Sequence, residues 1–276
     1  MSKKYLLTAI SIFTIFLTSY GQQSKNLVIQ MVKVEGGKFL MGSPDENKIA
    51  ENDEQKQHEV TVGNFAINKL EVSVWEWKQY CKKTKKKMPA QQVWGINDNY
   101  PITNITWNEA IAYCNWLSKQ DGYNPVYTVA GPNIVCDFSA NGYRLPTEAE
   151  WEYTAKGGKK SKNNIFAGSN ISSEIAWKQN NSEKRPHAVG TKLANELGIY
   201  DMSGNVWEWC YDWYNKDYYK SEDGNNPSGP IRGEKKSVRG GSWDSKESYL
   251  RTSNRISTTP DRTYEFYGFR LARTVN

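Results

Sequence analysis

Gly198-Ile-Tyr-Asp-Met-Ser-Gly-Asn-Val-Trp-Glu-Trp209 decides how this chain is read. It and two later words, Arg239-Gly-Gly-Ser-Trp243 and Gly268-Phe-Arg-Leu-Ala-Arg273, follow neither a helical nor a strand period. From Lys159 to the end, glycine, asparagine, serine and large aromatics dominate. The chain holds 11 tryptophans and 17 tyrosines in 276 residues, with modest aliphatic content. That composition predicts a core of aromatic side chains and loops, with helix and strand content below the usual ~30–35% and ~20–25%. No cysteine follows Cys210.

Upstream, regular elements announce themselves. Ser73-Val-Trp-Glu76, Thr106-Trp-Asn-Glu109 and Thr147-Glu-Ala-Glu150 each fit a capping box, a hydroxyl accepting from the third helical N–H while the glutamate reaches back. Behind the second, Ala110, Ala112, Tyr113, Trp116 and Leu117 recur at helical spacing; behind the third, Ala149, Trp151, Tyr153 and Ala155 do so less regularly. Gly157-Gly158 supplies a C-terminal stop. Leu27 to Val34 and Lys38 to Met41 read as strands joined through Glu35-Gly36-Gly37, a tight hairpin whose glycines allow positive φ. His58 to Phe65 alternates as a half-buried strand. No Pro/Gly/Ser linker interrupts the chain beyond Asn26, so residues 30–276 form one α+β domain, preceded by a short linker over 22–29.

Residues 1–21 read as a signal peptide. Lys3 and Lys4 precede an apolar run from Tyr5 to Phe16, with small residues at Ser19 and Gly21. The run is short against the about 20 residues of a membrane span. The expectation is an exported protein, periplasmic, in the cell envelope or secreted, with no transmembrane span in the mature chain. The net charge of +6 is local, concentrated in Lys82-Lys83-Thr84-Lys85-Lys86-Lys87, which reads as a solvated segment after a helix. No basic repeat with interleaved aromatics accompanies it, which argues against nucleic acid. Cys81, Cys114, Cys136 and Cys210 lack CxxC spacing and only His58 and His187 exist, so a structural zinc site is not expected. Three disulfide pairings remain open to an exported chain.

Read together, these words resemble the formylglycine-generating enzyme, or sulfatase-modifying factor, domain. Val34-Glu-Gly-Gly-Lys-Phe-Leu-Met-Gly-Ser43, Pro101-Ile-Thr-Asn-Ile-Thr-Trp-Asn-Glu-Ala110 and Asn141-Gly-Tyr-Arg-Leu-Pro-Thr-Glu-Ala-Glu-Trp-Glu-Tyr153 carry the likeness with the three later words, in order, over roughly residues 30 to 274. The resemblance implies a C-type-lectin-like α+β fold with little regular structure. It also implies oxidation of a client cysteine to formylglycine at a copper(I) ion held by two thiolates, soft ligands that suit this metal. Counting from Ser242 puts the thiol positions at Ser245 and Leu250, neither of which can hold copper(I), so copper is not expected. A second branch of the family uses non-haem iron on histidines, and this chain has only two.

By the same resemblance, Asp201 to Glu208 is similar to a calcium loop, with carboxylates from Asp201 and Glu208 and backbone carbonyls from Gly204 and Val206; hard oxygens suit calcium. Trp209, Ser242, Trp243, Ser245 and Arg251 are candidates for a binding groove of aromatic, hydroxyl and cationic groups, suited to an extended peptide or a glycan. The bland alternative has Arg144, Arg239, Arg251, Arg255 and Arg270 bridging loops through backbone carbonyls and Glu150, Glu152 or Glu208. Glu148, Glu150 and Glu152 do not face one another on a helix and are not read as an acid/base pair. The functional expectation is a non-catalytic binding or assembly module taking a peptide or protein ligand; the alternative is an oxidase or non-haem metal enzyme with an altered metal site.

Overall fold

A computed structural model describes residues 29–55, 57–90, 92–130, 133–218 and 224–275. The signal-peptide reading of residues 1–21 and nearly all of the linker over 22–29 lie outside these described residues. No helix among them is long and apolar enough to cross a membrane.

The three capping boxes open the three main helices. These are α1 (Val74–Thr84), α2 (Trp107–Gln120) and α3 (Glu148–Ala155), whose caps Ser73, Thr106 and Thr147 each exchange bonds with Glu76, Glu109 and Glu150. Helix α2 buries Ala110, Ile111, Tyr113, Cys114 and Leu117 along one stripe. Helix α3 is buried almost all round, Ala149, Trp151, Glu152, Tyr153 and Ala155 included, which is why its apolar stripe looks irregular. It stops at Gly157, where φ is 90°.

The strands divide among two four-stranded sheets and two hairpins. In the first sheet β1 (Met31–Val34) pairs with β4 (Phe65–Asn68), and β12 (Ala272–Thr274) inserts between β4 and β7 (Tyr143–Arg144), all antiparallel. The last strand is therefore an inner strand that closes the domain. In the second sheet β10 (Arg255–Thr258), β9 (Lys236–Arg239) and β8 (Trp207–Trp213) run antiparallel, and β11 (Tyr267–Gly268) joins β8 in parallel. The hairpins are β2 (Gly37–Met41) with β3 (His58–Val62), and β5 (Tyr127–Ala130) with β6 (Asn133–Cys136).

Two strand expectations are corrected. Glu35-Gly36-Gly37 does not join a β1–β2 hairpin, because β1 pairs with β4 and β2 with β3. Gly36 serves close approach instead of positive φ: a Cβ there would lie 2.3 Å from the Val62 carbonyl oxygen. The single strand read over His58 to Phe65 is two strands, β3 and β4, broken at Gly63-Asn64, and these belong to different sheets.

The largest core cluster is aromatic at its centre. Trp77 stacks on Tyr113 at 5.4 Å, and both meet Phe269 edge-on. In the second sheet the Lys236 ammonium is enclosed by Trp107 at 4.0 Å and Trp213 at 3.7 Å, and donates to the Tyr211 carbonyl. Burial pulls this ammonium down to about 7, opposed by the Asp212 carboxylate. In the unfolded chain lysine titrates near 10.4, so between pH 7 and 9 the unfolded state binds the extra proton and stability rises with pH. We expect chemical denaturation to show this rise, at most ~1.4 kcal/mol per pH unit, and Lys236→Met to flatten it.

Candidate functional site

The loop from Asp201 to Glu208 is set by backbone that few residues tolerate. Asp201, Gly204 and Asn205 all have positive φ, of 57°, 86° and 61°. A Cβ at Gly204 would stand 2.4 Å from the Trp177 carbonyl oxygen, so only glycine fits. Asn205 crosslinks the loop: its Nδ2 donates to Glu71 Oε2 at 2.6 Å and its Oδ1 accepts from the His187 N–H. The Val206 N–H donates to Glu71 Oε1.

Glu71, Asp201 and Glu208 are all buried, at 0%, 3% and 0% exposure, and share Arg270 as their one close cation. Arg270 clasps Glu208 with Nε and Nη2, both at 2.6 Å, and Trp151 Nε1 donates to the same carboxylate. Asp201 Oδ2 accepts from the Gly190 N–H, while Oδ1 is buried with no partner. Burial raises the Glu71 carboxyl well above its ordinary value, with Asp201 and Glu208 adding to it. Burial likewise raises Asp201 to about 6. Burial favours the protonated form of Glu71 and Arg270 neutralises Glu208, so what is left unsatisfied is Asp201 Oδ1, buried without a hydrogen-bond partner. Both Glu208 oxygens already accept from Arg270 or Trp151, so of the carboxylates read as calcium ligands only Asp201 keeps an unpartnered oxygen. No three His, Cys, Asp or Glu side chains among the described residues form a metal cluster; the loop offers two carboxylates and backbone oxygen.

Ser245 and Leu250, where the resemblance puts the two thiols, sit in a polar turn and an apolar cluster. Ser245 Oγ accepts from the Ser242 N–H at 2.9 Å and lies 3.1 Å from Ser242 Oγ. Leu250 is fully buried and packs with Phe166, Ile175 and Ala176. Copper(I) finds no thiolate there, so these residues do not fit it. The four cysteines, on α1, α2, β6 and β8, form no disulfide with one another.

The five groove candidates do not line one open groove, which is a correction. Trp209 is fully buried and donates its indole N–H to the Ile105 carbonyl. Ser242 and Ser245 are buried in their own turn, and Trp243, 5% exposed, packs edge-on against Trp94 at 5.3 Å. Only Arg251 reaches a cleft, one of about 790 Å³ between β2, the loop after it and residues 156–165. At its floor Arg251 clasps Glu54, which also accepts from Ser253 Oγ and Asn254 Nδ2. Burial alone would raise the Glu54 carboxyl, yet Arg251 and Asn254 hold it below its ordinary value. Nothing in the sequence flags Glu54: it sits in an aperiodic polar loop, 197 residues from its arginine.

The sulfatase-modifying factor enzyme 1-like domain matches residues 18–275. The chain belongs to this family. It is similar to Chaperone protein LppX of Paenibacillus barcinonensis, 35% identical over 216 residues, which cover 67% of this chain and 71% of that protein. It is similar to the formylglycine-generating enzyme of Streptomyces coelicolor, 33% identical over 194 residues, 64% of this chain and 54% of that enzyme. Three further relatives are matched over only 38% or 39% of their length. Among solved structures, Treponema denticola variable protein 1 superposes with a TM-score of 0.75 at 28% identity, covering 88% of this chain and 94% of that one.

Within this sulfatase-modifying-factor-like fold, the Arg270–Glu208 pair joins β8 to the segment leading into β12. Arg270→Ala leaves three buried carboxyls without their cation. We expect unfolding in urea to show a loss of about 3–5 kcal/mol, and Arg270→Lys to restore only part of it because a point charge cannot clasp both oxygens.

Proposed function

We propose that this chain is a non-catalytic binding or assembly module, exported to the cell envelope, that engages a protein or peptide partner. The observation that carries this reading is the content of the two thiol positions, Ser245 in a hydrogen-bonded serine turn and Leu250 in an apolar cluster. The family's oxidation needs a soft-ligand metal site, and a hydroxyl with a buried leucine supplies none. The likeness to a protein named a chaperone supports a role in binding other proteins.

The test is direct. The purified chain is loaded with copper(I), and separately with iron(II), then incubated under oxygen with a cysteine-containing peptide. Mass spectrometry is expected to show unmodified peptide in both arms; formation of the aldehyde in either arm overturns the reading.

We further propose that calcium occupies the loop of Asp201, Gly204, Val206 and Glu208 and acts by stabilising the fold. The unpartnered, buried Asp201 Oδ1 supports this. A ligand bound only by the native state adds ~2.7 kcal/mol at a hundredfold excess over its Kd, worth about 5–10 °C in a chain of this size. Calcium is expected to raise the Tm by that amount, chelation to reverse it, and Asp201→Asn to abolish the dependence. An unchanged Tm across calcium and chelator removes the assignment.

A further inference from the structure

We propose that the outer edge of β2 is a docking site that takes up an extended, apolar-acidic segment of a partner protein as an added strand. This rests on the binding-module reading and names its surface.

Among the described residues, strand β2 pairs only with β3. Opposite Lys38 stands Thr61, whose N–H donates to the Gly224 carbonyl and whose carbonyl accepts from the Asn226 N–H. Thr61 thus turns its backbone groups away from β2. In an antiparallel ladder both residues of such a pair point outward, so Lys38, and two residues on Leu40, present theirs on the far side of β2. The Leu40 carbonyl takes Lys156 Nζ there, at 2.7 Å. The Lys38 N–H and C=O and the Leu40 N–H have no hydrogen-bond partner among the described residues. An open edge of this kind is a template for another strand.

What flanks the edge selects the segment. Lys38, Phe39 and Leu40 line the 790 Å³ cleft together with Ile49 and Ile165. Leu40, Ile49 and Ile165 are 53%, 59% and 50% exposed, an apolar surface left to water in one concave place. Lys38 lines it and is exposed, and the exposed Lys159, Lys160 and Lys162 adjoin its lining residues Gly158, Ser161 and Asn163 in the chain. Lys38 pairs with Glu59 and Lys159 with Glu35 on the open surface, where such pairs hold weakly and exchange readily for a bound carboxylate. Glu46 is the one carboxylate among the lining residues. Backbone pairing, apolar contact and a lysine rim together fit a strand that alternates aliphatic and acidic residues. The site is separate from the Ser242–Ser245 turn, none of whose residues lines the cleft.

The probe is a fluorescein-labelled ten-residue peptide alternating valine and glutamate, titrated with the chain by fluorescence anisotropy. Two comparison peptides replace glutamate by lysine, or N-methylate alternate backbone nitrogens. The parent peptide is expected to bind, each comparison peptide at least tenfold more weakly, and Ile49→Ser/Ile165→Ser at least fivefold more weakly. Hydrogen exchange at the Lys38 and Leu40 amides should slow when the parent peptide is bound. Equal binding of all three peptides, no binding at millimolar concentration, or unchanged exchange at those amides overturns the proposal. Failure here with no aldehyde in the oxidation assay removes the docking edge and leaves the non-catalytic reading standing. Aldehyde formation removes that reading and leaves the peptide result to be judged alone.

Discussion

Buried arginine–glutamate pairing holds this domain together where regular structure is sparse. Glu148, Glu150 and Glu152 alternate along α3 and point different ways around it. Each meets an arginine from another part of the chain: Arg255 for Glu148, Arg144 for Glu150 and Arg239 for Glu152. Arg251 meets Glu54 and Arg270 meets Glu208. Burial alone would raise Glu148 and Glu152, and their cations hold both below the ordinary carboxyl range. Such pairs add little over well-packed apolar side chains, but breaking one leaves a bare charge in the core at a cost of about 3–5 kcal/mol. Arg239 reaches Glu148 as well as Glu152, so α3 is tied on several sides, and each pairing fixes where a loop crosses the core.

The candidate sites follow from that framework. Arg270 locks Glu208 and so fixes the end of the acidic loop, while Glu71, tied to Asn205 and Val206, fixes its middle. What the framework leaves unsatisfied is Asp201 Oδ1. At the C-terminal end of α3, Lys156 bonds Glu152 and caps the Leu40 and Gly42 carbonyls. That contact anchors one end of β2 and leaves the rest of its outer edge unpaired beside the cleft.

The helices and the family's words were legible in the sequence because their signals are local. A capping box is four residues long, and Gly157 marks its own stop. The α+β class and the aromatic core followed from composition and from the resemblance. The strand pairings were not legible. Gly36 and Gly37 look like a hairpin turn, yet which strand β1 chooses is decided by residues thirty positions away. The groove was misread for a related reason. Trp209 and Trp243 look like recognition surface because large aromatics are common there, but this core is itself built of tryptophan and absorbs them. Glu54, whose side chain organises the cleft floor, carries no periodicity and no motif; only the fold brings Arg251 to it.

The chain keeps the sulfatase-modifying factor scaffold, and we propose that it has given up the copper position within it. Titration of copper(I) against a chromophoric competitor, for the natural chain and for Ser245→Cys/Leu250→Cys, tests this most directly. The account predicts that the natural chain takes no copper from the competitor and that the double variant takes one equivalent. Tight stoichiometric copper(I) binding by the natural chain, equal to that of the variant, would contradict it.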